Sequence, residues 1–118
     1  GMSENIQAIS IVDKFLEHPR LYVFQNDEDP KVFISSADWM TRNIDHRVEV
    51  TCPIYDTDIK QELIETFEIC WKDNVKARDF SLDQENGYRE KTGDDFRSQF
   101  ETYTYYKNKL KTMEKNKE

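Results

Sequence analysis

The chain has 118 residues and a formal net charge of −7, with 36% hydrophobic and 35% charged residues. That length supports one domain with a modest core, and no apolar run approaches the roughly 18 residues that span a bilayer. The acidic balance argues against binding nucleic acid through bulk electrostatics, so any anion site has to be local.

Gly1 ahead of Met2 reads as an expression scar, which assigns residues 1–2 to the scar, 3–113 to the domain and 114–118 to a charged, disordered tail. Ile6, Ile9, Val12, Phe15 and Leu16 fit helical spacing, and their β-branched content fits a strand equally well. Arg20 to Gln25 alternates around Leu21 and Val23 and predicts a strand. Asn26-Asp27-Glu28-Asp29-Pro30 predicts a turn, and Lys31 to Ser35 a second strand, so the two form a hairpin. After a polar loop, Arg47 to Tyr55 places Val48, Val50 and Cys52 on one face of a third strand that stops near Pro53.

From Thr57 the period becomes helical through Ile59, Leu63, Phe67, Cys70 and Trp71, with Asp56 or Thr57 as N-cap and Asp58 in the first turn. This helix is expected to pack on the sheet. Phe80 to Gly93 is polar and carries the turn signals Asn86-Gly87 and Thr92-Gly93, which predicts a surface connection. A last helix from about Asp94 carries Phe96, Phe100, Tyr103, Tyr106, Leu110 and Met113. The fold class is therefore α/β in the α+β sense: a sheet of three or more strands with packed helices. Cys52 and Cys70 lack metal-type spacing and read as buried free thiols of a reducing, cytoplasmic environment.

One passage is dense in chemistry: His18-Pro19-Arg20, the hairpin, then Ser35-Ser36-Ala37-Asp38-Trp39-Met40. It gathers an imidazole, a guanidinium, paired hydroxyls and a carboxylate, a set suited to phosphate. Pro19 biases His18 to an extended backbone at the strand start, where it can serve as a general acid. Each residue also has a plainer role. His18 can be a surface histidine beside a proline. Arg20 either grips phosphate or pairs with Glu17 or with an acid across the sheet. Ser35 and Ser36 donate to phosphate or to His18, or they cap the turn that ends the strand. Asp38 either orients His18 or caps a short turn holding Trp39 and Met40, which read as core residues. Arg42 and Arg47 can widen an anion surface, although Arg47 and Glu49 read better as a structural pair.

The order His-x-basic, strand, turn, strand, Ser-Ser-x-Asp resembles the second signature half of the phospholipase D superfamily. Phe15 to Tyr22, followed by Phe33 to Asp45, is more closely similar to the C-terminal domain of polyphosphate kinase of the first type. Val75-Lys76-Ala77-Arg78 resembles the same family, and the chain from Asp79 onward resembles it only loosely. The resemblance implies a partial phospholipase D-like domain of an enzyme that reversibly moves the ATP terminal phosphate onto inorganic polyphosphate, with Mg2+, through a phosphohistidine carried upstream. It implies His18 as the acid/base partner, and ATP/ADP, polyphosphate and the upstream domains as partners. It implies no cofactor bound by this segment alone. Three strands with only two or three helices leave a sheet edge that the upstream part of the parent domain would cover, which predicts a homo-oligomer. Arg20 stands where the wider superfamily has Lys, and Gln25 where it usually has Asp, which sets the chain apart from the hydrolases. A dimeric phosphodiesterase and a non-catalytic interaction module are the alternative classes.

Overall fold

The computed structural model describes residues 4–80 and 86–115. The expected scar at residues 1–2 lies outside them, as do residues 116–118 of the expected tail. In chain order the elements are β1 (Ile9–Ile11), β2 (Leu21–Phe24), β3 (Lys31–Ser35), α1 (Thr41–His46), β4 (Thr51–Ile54), α2 (Thr57–Trp71), β5 (Ala77–Asp79) and α3 (Ser98–Lys115). They form two small antiparallel sheets, ordered β1-β5 and β2-β3-β4, among three helices. The chain divides into two compact units, one of residues 17–67 and one of residues 1–16 with 68–118.

The unit of residues 17–67 is the hairpin with its third strand. β2 pairs β3 with Tyr22 opposite Phe33, and β3 pairs β4 with Phe33 opposite Pro53. Pro53 sits within the strand because β4 pairs on one side only, and an edge strand tolerates a missing N–H. Asn26 and Asp27 turn the hairpin at φ 40° and 54°, a region that short polar side chains enter at lower cost than most. Val32, 1% exposed, is the buried centre. The expected strand from Arg47 begins only at Thr51, leaving Val48 fully exposed and Val50 66% exposed ahead of it. Cys52 is exposed rather than buried, since its place on the edge strand leaves the thiol uncovered. The expected polar loop contains α1.

Helix α2 starts as anticipated. Asp56 Oδ1 accepts the N–H groups of Asp58 and Ile59 at 3.0 Å each, a side-chain N-cap. Lys60 ties the helix to the hairpin turn, donating to Asp29 Oδ1 at 3.2 Å and to the Pro30 carbonyl at 3.4 Å.

The open choice between helix and strand for residues 6–17 resolves as the short strand β1, over Ile9–Ile11 in the other unit. Ile9, Ser10 and Ile11 face Asp79, Arg78 and Ala77. The connection expected over 80–93 is partly strand-like, because Tyr88 bridges Arg78 and Arg89 N–H reaches the Ala77 carbonyl at 3.0 Å. Residues 81–85 of it lie outside the described residues. Asp73, fully buried, organises this unit. Its Oδ1 accepts from the N–H groups of Val75, Lys76 and Ala77, and its Oδ2 accepts from Ser98 N–H at 2.7 Å. The bond from Ser98 satisfies a donor at the start of α3, which opens at Ser98 rather than Asp94 and runs through Glu114 and Lys115, two residues expected in the tail.

Candidate functional site

The hairpin brings the two halves of the chemical passage to one rim of the three-stranded sheet. The Arg20 carbonyl accepts Ser35 N–H at 2.9 Å, so the ladder extends one step beyond β2 and sets the residues before β2 beside those after β3. His18, Arg20 and Asp38 meet there. Arg20 Nε donates to Asp38 Oδ1 at 2.7 Å, and His18 Nε2 lies 3.1 Å from the same oxygen. An Arg20 terminal nitrogen lies 3.1 Å from His18 Nε2 and 3.4 Å from Nδ1.

Nε2 cannot serve both neighbours at once. Carrying a proton it donates to Asp38, and bare it accepts from Arg20. The imidazole therefore has a partner in either proton state. Its side chain is 66% exposed, against 22% for Asp38, so the ring faces outward over a half-buried ion pair. The Arg20 hydrogen bond holds the Asp38 carboxyl below the usual carboxylate range, against the desolvation that would raise it, and the charges of Arg20 and His18 add to the pull. The same pair raises Arg20. Of the two roles open to Arg20, the pairing with an acid is the contact present.

The serines face elsewhere. Ser35 Oγ shares a hydrogen bond with Thr51 Oγ1 at 2.9 Å and accepts Ala37 N–H at 3.1 Å. Ser36 Oγ donates to Glu49 and accepts Val50 N–H at 3.1 Å. Their hydroxyls thus fasten the end of β3 to the approach to β4. Glu49 also accepts from Asn43 Nδ2 at 2.7 Å, while Arg47, expected as its partner, acts on it as a nearby charge. Trp39 and Met40, expected in the core, are 83% and 50% exposed. They lie on the irregular segment that joins β3 to α1, and Trp39 Nε1–H donates to Tyr22 Oη at 2.9 Å. Tyr22, Phe24, Phe33 and Trp39 line a groove of about 370 Å³ with Asp38 at its side. Tyr22 and Trp39 were not anticipated as a pair, because the contact depends on where the irregular segment turns.

Among the described residues no group of three or more His, Cys, Asp and Glu side chains forms a cation cage. Asp38, the carboxylate beside His18, already accepts from Arg20. This donor set does not fit a Mg2+ ion.

A mixed α/β domain with an imidazole, a guanidinium and a carboxylate on one sheet rim falls among domains equipped to meet an anionic group. The chain belongs to the family described as "Polyphosphate kinase C-terminal domain 2", whose model matches residues 1–99. It is 52% identical over 118 residues to a protein named Polyphosphate kinase from Vibrio vulnificus (strain YJ016), covering 99% of this chain and 17% of that protein. It is 52% identical over 88 residues to Polyphosphate kinase from Escherichia coli (strain K12), covering 75% of this chain and 13% of that protein. A solved structure titled as polyphosphate kinase from Porphyromonas gingivalis matches with a TM-score of 0.91 at 39% identity. That match covers 94% of this chain and 17% of the solved one. The chain thus spans about 17% of the length of the first relatives it matches. Among the described residues no helix is long and apolar enough to cross a membrane.

Proposed function

We propose that this chain supplies the proton-handling rim of a polyphosphate kinase, in which the terminal phosphate of ATP passes reversibly to inorganic polyphosphate. The observation that carries this reading is His18 set 3.1 Å from Asp38 Oδ1 with Arg20 locked to the same oxygen. In phosphoryl transfer the protein contributes positioning and charge stabilisation more than covalent chemistry. Asp38 accepts the hydrogen bond from Nε2–H and fixes the ring, so that the imidazolium form can give its Nδ1 proton to the departing oxygen. Arg20 adds a cation beside the incoming phosphate.

Family membership and the names of the relatives support the substrate class, ATP or ADP with polyphosphate. On this reading the phosphorylated nucleophile and the Mg2+ ion belong to other parts of a longer polypeptide, the enzyme is a cytoplasmic homo-oligomer, and the present segment is inactive alone. In the full-length enzyme, His18→Ala should lower ATP-dependent polyphosphate synthesis by roughly 10²- to 10⁴-fold, the usual range for a general acid. Wild-type synthesis by that variant would reject the assignment.

A further inference from the structure

Asp38 and Trp39 are consecutive residues of an irregular segment, and both are held from one edge of the hairpin. Residues two apart on an extended strand share a face, so Arg20 and Tyr22 project together. Arg20 Nε reaches Asp38 Oδ1 at 2.7 Å, and Tyr22 Oη accepts the Trp39 indole N–H at 2.9 Å. The Tyr22 and Trp39 rings lie 6.2 Å apart, tilted by 32°. Two neighbouring side chains of the segment are thereby matched to two neighbouring side chains of the strand.

Burial does not hold Trp39 in place, since it is 83% exposed. Upstream of Asp38 the chain is pinned by Ala37 N–H on Ser35 Oγ at 3.1 Å. Downstream, α1 opens after Met40 with no capping side chain. On that flank the indole bond anchors the residue next to Asp38, and the next side-chain tie among the described residues is Asn43 Nδ2 on Glu49 at 2.7 Å, inside α1. An ångström of drift in Asp38 would misalign the ring it faces, and errors of that size are costly in transfer reactions.

We propose that the Trp39–Tyr22 hydrogen bond is a latch that sets the Asp38 carboxylate against His18, making Tyr22 and Trp39 positioning residues for phosphoryl transfer. The proposal rests on the reading of His18 as the acid. Tyr22→Phe and Trp39→Phe each keep an aromatic ring and delete one end of the bond, so a role in packing alone would tolerate both. In the full-length enzyme each should lower kcat roughly 10- to 100-fold, with KM for ATP and the melting temperature unchanged. The double variant should be no slower than the worse single, and Tyr22→Phe should cost nothing further in an Asp38→Asn background. In a 5-fluorotryptophan-labelled enzyme, the 19F resonance of Trp39 should shift on Tyr22→Phe, a readout independent of turnover. Wild-type kcat in both single variants beside an inactive His18→Ala enzyme overturns the latch and leaves the acid reading standing. A fully active His18→Ala enzyme overturns the reading itself, and the latch with it.

Discussion

The guanidinium of Arg20 and the carboxylate of Asp38 meet at 2.7 Å across 18 positions of chain, and their union gives His18 its neighbour. Arg20 uses Nε for the carboxylate and a terminal nitrogen for the imidazole, an arrangement that a planar fork can make and a point-like ammonium cannot. Arg20→Lys should therefore lower kcat of the full-length enzyme roughly tenfold or more with little change in melting temperature. Steady-state kinetics beside a thermal melt checks both halves. Wild-type turnover in the variant would mean that the fork geometry does not matter.

The same pair sets a pH dependence. Asp38 is held below its ordinary range chiefly by the Arg20 hydrogen bond. A depressed carboxylate contributes its pairing fully above the unfolded value of about 3.9 and loses it as pH falls through the lower folded value. The Arg20–Asp38 contact should thus persist through neutral and mildly acidic pH. A carboxyl-carbon NMR titration should place the Asp38 midpoint below about 3.9, and Arg20→Ala should move it upward. No movement would show that another group holds the proton off.

Asp73 is the structural counterpart. It is fully buried and accepts four backbone N–H bonds. Burial alone would raise its carboxyl, and the N–H groups of Lys76, Ser98 and Ala77 more than offset that and hold it low. Its contribution is present above the unfolded value of about 3.9 and fades as pH falls through the folded one. Asp73→Asn should cost about 3 kcal/mol of stability at neutral pH and flatten the acid limb of the stability curve. Denaturant unfolding measured from neutral to acidic pH tests this, and a variant as stable as the parent would refute it.

The serines divide structure from chemistry. Ser35 Oγ is occupied by Thr51 and by Ala37 N–H, so Ser35→Ala should loosen the end of β3 by about 1 kcal/mol. Turnover of the full-length enzyme should change less than threefold. A loss of kcat comparable to that of His18→Ala would instead make the hydroxyl a phosphate ligand.

Local signals carried the sequence reading furthest. The bounds of β3, the Asp56 cap and the run of α2 to Trp71 each rest on neighbours in sequence: an alternation, a capping oxygen, a 3.6-residue period. The meeting of His18, Arg20 and Asp38 was legible for a related reason, since a short hairpin returns the chain to its own start. Strand β5 was not legible, because its three residues become a strand only by pairing Ile9–Ile11, which lie far away in sequence. Helix α1 has six residues, no capping side chain and no acid in its first turn, so nothing announces it. Trp39 and Cys52 were read as buried from side-chain character alone, but an irregular segment and an edge strand leave both in solvent.

On the proposed reading, the His18 ring donates the proton in the transfer step itself. Rapid-quench single turnover with γ-32P-labelled ATP and polyphosphate, comparing the full-length parent with His18→Gln, separates that step from nucleotide binding. ATP affinity should be unchanged in His18→Gln and the transfer rate at least 100-fold slower, in line with the loss of a general acid. Equal transfer rates in the two enzymes would contradict that reading.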